Sequence, residues 1–273
     1  MRSIAKLMKD WQFTGPNGVT TAVELPHTWN ARDGQDGGND YWRGCCTYCT
    51  CFAAPVYDPA QQQVWLQFEG INASAAVLLN GQQLCTHDGG YSTFRAEVTE
   101  LLQAENQLTV RVDNSVNDRV YPQKADFTFY GGIYRDVSLL VVNKNHIALG
   151  HFGDTGVKIT PALQENSADI RVETLVEGSG TVTVELLDAE GRTAAKGEGE
   201  NTFLHLDAPH LWNGVKDPYL YTCVVRLLQD GQPVDEVTTR VGLRSFSVDA
   251  MCAACPSSCS PSAPARRRAR RPA

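Results

Sequence analysis

From Cys45 onward, apolar and polar residues alternate with a period of two, the mark of strands that bury one face. Residues 45–52, 64–68, 94–98 and 108–112 follow this pattern, and each reads as a strand. Residues 75–79 and 82–84 flank Asn80-Gly81, which predicts a hairpin with a type I′ turn. A short helical stretch is expected only around 99–104. The run at 136–142 closes this first set, and 143–150 reads as a linker. Beyond it, 169–176 alternates with Ile170, Val172 and Val176 on one face, and 181–187 alternates too, followed by a turn at 188–191. Residues 221–229 and 234–241 flank Asp230-Gly231 as a second hairpin. Many short strands separated by turn signals predict an all-β chain: a sandwich or jelly roll first, then an immunoglobulin-like sandwich. The first 30 residues carry no such period and read as an irregular arm, anchored by Trp11 and Phe13. The polar, glycine-rich stretch 33–40 reads as a surface loop.

Composition narrows the picture. The 273 residues are 42% hydrophobic and 20% charged, and the formal net charge is −7. All five arginines after position 249 fall in the last eight residues, with no acid beside them, so residues 1–249 carry −12. A globular, acidic body of this kind is not a nucleic-acid binder. No apolar run approaches the roughly 18 residues of a membrane span, and the charged N-terminus lacks the apolar core of a secretory signal. Nine clustered cysteines, an odd number, suit free thiols in a reducing cytoplasm. Asn72-Ala73-Ser74 fits a glycosylation pattern that is a chance match in such a compartment. Residues 250–273, rich in Ala, Pro, Ser and Arg, have no strand period and cannot bury a core.

The stretch from Asp126 to Val137 is the most singular. Acidic and aromatic residues run into Gly131-Gly132 and then into an apolar strand. It reads either as a loop feeding a sheet or as a loop that carries Asp126 to a ligand. Arg135 reads as a structural ion-pair partner. Trp42 and Tyr130 read as packing aromatics before they read as platforms for a sugar ring. No metal is expected. Cys46 and Cys49, three apart on a strand, point to opposite faces, and Cys252, Cys255 and Cys259 sit where no fold fixes them.

Several segments, in order, resemble glycoside hydrolase family 2, the β-galactosidase and β-glucuronidase type. They are Leu25-Pro26-His27-Thr28-Trp29-Asn30, Asp40-Tyr41-Trp42-Arg43-Gly44, Leu79-Asn80-Gly81, Gly89-Gly90-Tyr91-Ser92-Thr93-Phe94 and residues 106–112. Gly131-Gly132-Ile133-Tyr134-Arg135-Asp136-Val137, Leu211-Trp212 with Pro218-Tyr219-Leu220-Tyr221, and Val241-Gly242-Leu243-Arg244-Ser245-Phe246 complete the series. The resemblance implies a galactose-binding-like jelly roll over 1–143 and an immunoglobulin-like sandwich over 144–249. In the family a (β/α)8 barrel follows and carries the chemistry.

The resemblance also implies where chemistry and binding lie. Retaining glycosidases need two carboxyl groups about 5–5.5 Å apart, and the family draws both from the barrel, the acid/base glutamate following an asparagine. No Asn-Glu dipeptide occurs in this chain. Glu69, Glu97 and Glu185 lie on predicted strands, where paired or solvent-facing roles are expected, so no catalytic residue is assigned and no activity is expected from this chain alone. Asp126 matches the family's sugar-contacting aspartate. Asp40, with Asn39, matches a second acidic contact, although Asp40 also reads as an ordinary loop acid. The expected ligand is a β-galactoside or a related sugar, with no cofactor, no nucleic acid and no membrane. An oligomer or a barrel-bearing partner chain is the expected assembly, and a stand-alone carbohydrate-binding or interaction module is the alternative. The abrupt change after Asp249 reads as an out-of-frame tail that replaces the barrel.

Overall fold

A computed structural model describes residues 1–31, 41–122, 125, 127–150 and 152–246. Its elements are strands apart from one 3-10 turn at Thr99–Leu101, where the short helix was expected. The fold is all-β, in two compact units. Among the described residues, the first takes in Met1–Gly156 with Val176–Gly180 and Gly231–Asp235, and the second Val157–Leu175, Thr181–Asp230 and those from Glu236 to Phe246.

The first unit is a sandwich. One sheet has six strands, ordered Thr20–Val23, Trp11–Thr14, Cys45–Ala53, Glu105–Asp113, Ser74–Leu79 and Gln82–Asp88. The other has four: Ser3–Lys6, Val137–Asn143, Gln62–Phe68 and Phe94–Glu97. Alternation does the sorting. In Cys45–Ala53 the buried residues are Cys46, Tyr48, Thr50 and Phe52, and in Glu105–Asp113 they are Asn106, Leu108, Val110 and Val112. Tyr48, Val110 and Val77 meet Leu66, Phe68 and Val141 from the opposite sheet in one core. Burial of such side chains contributes about 1.5–3 kcal/mol each. Cys46 faces this core while Cys49 lies on the other face, as alternation requires. Asn80 and Gly81 both take positive φ, 52° and 82°, as a type I′ turn demands.

The run Val137–Val142 does not alternate because both its faces are covered. Leu139 and Val141 enter the main core, and Leu140 and Val142 pack with Leu149 and Trp65.

Two expectations are corrected. Residues 1–30 are not an irregular arm. They form strands Ser3–Lys6, Trp11–Thr14, Thr20–Val23 and His27–Thr28. Ser3–Lys6 is exposed throughout and Thr20–Val23 nearly so, so neither has an apolar face to announce it, and sheet pairing alone fixes them. Trp11 and Phe13 are the buried anchors expected. Nor is 143–150 a simple linker: His146–Ile147 pairs with Val176–Glu177, and His146 through Leu149 are buried. A two-residue strand is too short to carry a period.

The second unit has a three-stranded sheet, Val157–Leu163, Ser167–Thr174 and Asn201–Asp207, and a four-stranded one, Thr193–Glu198, Thr181–Leu187, Tyr221–Gln229 and Gln232–Val241. Ala168, Ile170 and Val172 are buried from the first sheet, and Val182, Val184, Leu186, Val225 and Leu227 from the second. Asp230 and Gly231 turn the long hairpin with φ of 49° and 76°. Arg244 is held between the Trp212 and Phe246 rings, 4.6 Å from each centroid.

Burial sets thiol reactivity here. Cys46 and Cys223 are closed off, and desolvation pushes their thiols up to about 12 and about 11, whereas Cys51 is exposed. Mass mapping after brief alkylation of the native chain should find Cys51 modified and Cys46 and Cys223 protected until denaturant is added. Equal rates at Cys46 and Cys51 would contradict the strand facing given above.

Candidate functional site

Asn39, Asp40 and Asp126 lie outside the described residues. Their described neighbours, Tyr41–Gly44 on one side and Phe127–Ile133 on the other, converge in the first unit, and buried amide side chains hold them there.

Asn114 follows the strand Glu105–Asp113 and is fully buried. Its Oδ1 accepts from Gly44 N at 2.9 Å, and its Nδ2 donates to Phe129 O at 2.9 Å and to Asn30 Oδ1 at 3.1 Å. Asn30, also fully buried, accepts from Gly131 N at 2.7 Å and donates to Trp42 O at 2.8 Å. Asn72 donates to Tyr130 O at 2.7 Å. Three asparagines thus fix the backbone of the Gly131 loop and of the Trp42–Gly44 segment. Asn72 is 4% exposed and its amide is committed, so the glycosylation match at this position is sterically void.

The glycine pair is required by close approach. A Cβ on Gly131 would lie 2.0 Å from the Trp29 ring. Gly132 has φ +140°, and a Cβ there would lie 2.4 Å from His27 O. This packing lets Gly132–Ile133 insert as a short strand between His27–Thr28 and Ile71–Asn72. Tyr48 sits beneath. Its hydroxyl lies 2.7 Å from His27 Nδ1, and the two share a hydrogen bond. Burial pushes the Tyr48 phenol far up and lowers His27, so both stay uncharged.

Arg43 crosses between the two segments. Its Nε donates to Asn114 O at 2.7 Å, and its guanidinium lies 4.9 Å from the Phe129 ring centroid and 5.9 Å from that of Tyr41. Beside it is a cavity lined by Asn72, Tyr91, Asn117, Tyr121 and Phe129. The loop at 115–122 is tied down by Arg119, whose Nε donates to Asp88 Oδ2 at 2.8 Å. Arg119, and then Ser74, hold the Asp88 carboxyl below its ordinary value.

The other sequence expectations sort as follows. Trp42 packs edge-on against Trp29 at 6.0 Å, as expected. Tyr130 is 41% exposed and makes no aromatic contact among the described residues. Arg135 makes no ion pair among the described residues. Its stem lies against Gly70 and its head over Tyr134, while neighbouring Asp136 pairs with Lys6 at 2.6 Å. Glu97 accepts from Thr99 Oγ1, and Glu185 from Thr193 Oγ1 and Arg226, as structural acids do. Glu69 takes a long bond from Gln67. Asn72 and Asn114 were not foreseen as structural, because a buried amide has no periodic signature. The only hint for Asn114 was its place just past a strand end.

Comparison with known proteins places this arrangement. Residues 38–163 match the family model described as the glycosyl hydrolase 2 galactose-binding domain-like domain, and residues 151–244 match the model for glycosyl hydrolases family 2. The chain belongs to glycoside hydrolase family 2, as its N-terminal portion. It is similar to a β-glucuronidase of Bacteroides fragilis, 32% identical over 89% of this chain and 38% of that protein. A β-galactosidase of Bacteroides ovatus is 31% identical over 88% of this chain and 31% of its own length. The crystal structure of an FMN-binding β-glucuronidase from Facaelibacterium prausnitzii L2-6 superposes with a TM-score of 0.85 at 35% identity, over 91% of this chain and 40% of that one. The chain thus spans between about three and four tenths of the length of these relatives.

Two outcomes follow from the amide cluster. Asn114→Ala orphans Gly44 N–H and Phe129 C=O, each worth about 1–3 kcal/mol when buried, and leaves Asn30 Oδ1 with Gly131 N–H as its remaining donor. Urea unfolding should show a loss of about 3–5 kcal/mol, and a loss below about 1 kcal/mol would mean the cluster is not a structural anchor. Second, His27 is lowered from its ordinary 6.5. Above that value both folded and unfolded chains hold it neutral. Below it the unfolded chain takes up a proton that the folded one resists, so stability falls as pH drops. Melting temperatures should decline from pH 7 toward pH 5, less steeply in His27→Gln, and equal slopes would remove His27 as the cause.

Proposed function

We propose that this chain is the sugar-recognition portion of a family 2 β-glycosidase. Residues 1–143 form the sugar-binding jelly roll and residues 144–249 the immunoglobulin-like sandwich. The substrate is a β-galactoside or β-glucuronide, the classes named for its relatives. Asp126 is the principal sugar contact, with Asp40 and Asn39 beside it. One observation carries this reading: Asn114, Asn30 and Arg43 tie together the residues that adjoin both acids. A rigid mount of this kind suits carboxylates that must accept a pair of sugar hydroxyls in fixed geometry. No catalytic carboxylate pair is assigned to this chain, and bond cleavage is the work of a (β/α)8 barrel, carried in the same polypeptide or by a partner chain. The clustered thiols, free at all six described cysteines, suit the cytoplasm.

Calorimetry of the purified chain with methyl β-D-galactoside tests the assignment. Millimolar-range affinity is expected, about −4 kcal/mol, lost in Asp126→Ala and weakened in Asp40→Ala. Absence of binding, or binding indifferent to Asp126, overturns it. Aryl β-galactosides and β-glucuronides should show no turnover above blank. Tight binding without turnover would instead favour a stand-alone carbohydrate-binding module.

A further inference from the structure

Three asparagines in the chain are followed by glycine: Asn17-Gly18, Asn80-Gly81 and Asn213-Gly214. Glycine leaves the backbone nitrogen after an asparagine unshielded, because no Cβ stands beside it. That nitrogen can close a ring on the asparagine's own Cγ. The fold engages the reacting groups at two of the three sites and leaves them open at the third.

Asn80 Nδ2 donates to Leu101 O and to Asn106 Oδ1, both at 3.0 Å, and Oδ1 accepts from Gln107 N at 2.9 Å. The amide cannot turn toward Gly81 without losing all of these bonds. At Asn17, Oδ1 accepts from Val19 N at 3.0 Å, and the attacking nitrogen, Gly18 N, donates to Gly15 O at 3.0 Å. Asn213 differs from both. It is exposed, its side-chain amide has no hydrogen-bond partner among the described residues, and Gly214 N–H has no acceptor among them. Gly214 has φ +56°, and a Cβ there would meet nothing nearer than the Trp212 ring at 3.7 Å, so its surroundings are open. The Asn213 backbone is nonetheless fixed, its N donating to Asp217 O at 2.7 Å and its O accepting from Lys216 N at 3.2 Å. The side chain therefore swings on a fixed pivot beside a free nitrogen.

The neighbouring residue is Trp212. Its N–H donates to Leu243 O at 3.0 Å, its side chain lies against Gly242, and its ring carries Arg244 at 4.6 Å. Trp212 thus seats residues 242–246. We propose that Asn213-Gly214 is a self-modification site that converts to aspartyl and isoaspartyl forms, and that the isoaspartyl form loosens this seat. Gly214 N gives up its proton to hydroxide and bonds to Asn213 Cγ. The Cγ–Nδ2 bond breaks, and Nδ2 takes a proton from water and leaves as ammonia. Water then opens the cyclic imide, at Cγ to give the aspartyl product or at the backbone carbonyl to give the isoaspartyl one. The net change is one water taken up, one ammonia lost and one negative charge gained. The isoaspartyl link also adds a methylene to the backbone at the residue that pairs with Asp217.

The test ages the purified full chain, folded, in mildly alkaline buffer. Mass mapping follows each Asn-Gly peptide, and enzymatic methylation of the new carboxyl counts isoaspartate. Asn213 should convert at least about tenfold faster than Asn17 and Asn80, which react only through local opening. Its rate should rise with pH, because the attacking nitrogen must lose its proton. In denaturant the three sites should convert at similar rates. Asn213→Gln, whose longer side chain closes the ring poorly and which breaks no side-chain contact, should abolish conversion at this site. Comparable rates in the folded chain, or faster conversion at Asn17 or Asn80, overturn the assignment. An Asn213 advantage that persists in denaturant overturns it too, because the fold would not be its cause. The aged chain should show faster hydrogen exchange at Trp212 N–H than the Asn213→Gln chain aged alongside, and equal exchange overturns the loosening.

Discussion

The first unit depends on a constraint that is polar rather than apolar: the buried amides of Asn30 and Asn114 must be satisfied. Each amide has a donor and an acceptor end, and burial without partners would cost about 1–3 kcal/mol per group. Here their partners are backbone atoms of chain segments far apart in sequence, around residues 43 and 130. Satisfying the side chains and shaping the loops are therefore the same event. Gly131 and Gly132 are the counterpart, because only a residue without Cβ lets the loop come close enough to Trp29 and His27 to reach those amides.

The sandwich was legible in the sequence and the amide cluster was not, for a physical reason. Strands such as Cys45–Ala53 and Ser167–Thr174 have one wet face and one dry face, so their burial is written as alternation. The two hairpin turns are written in residues that tolerate positive φ. Ser3–Lys6 and Thr20–Val23 were missed because edge strands need no apolar face. His146–Ile147 was missed because two residues make no period. A buried asparagine looks in sequence like a surface one, and Asn72 even resembles a glycan acceptor. The motif around Gly131 could be singled out from composition, but the atoms that its geometry serves lie about 60 and 100 residues upstream.

Family membership and local geometry carry different parts of the functional reading. The relatives supply the reaction class and show that this chain corresponds to only part of their length. The geometry supplies what they do not: a guanidinium immobilised by stacking on Phe129 and by one hydrogen bond to Asn114 O. The same arginine thus braces the two loops.

The pairing of Ser3–Lys6 with Val137–Asn143 has a consequence for biogenesis. Ser3 sits opposite Val141 and Lys6 opposite Ser138, so an edge strand made first can bond only to one made more than 130 residues later. Until that segment leaves the ribosome, the four-stranded sheet lacks its central member, and Gln62–Phe68 has no partner on that side. Sequence-distant closure of this kind makes folding slow and leaves strand edges open in the meantime. A nascent chain of this family therefore has a long vulnerable interval. It ends only when the strand directly following the Gly131 loop arrives, so the loop and the closure of the domain are completed together.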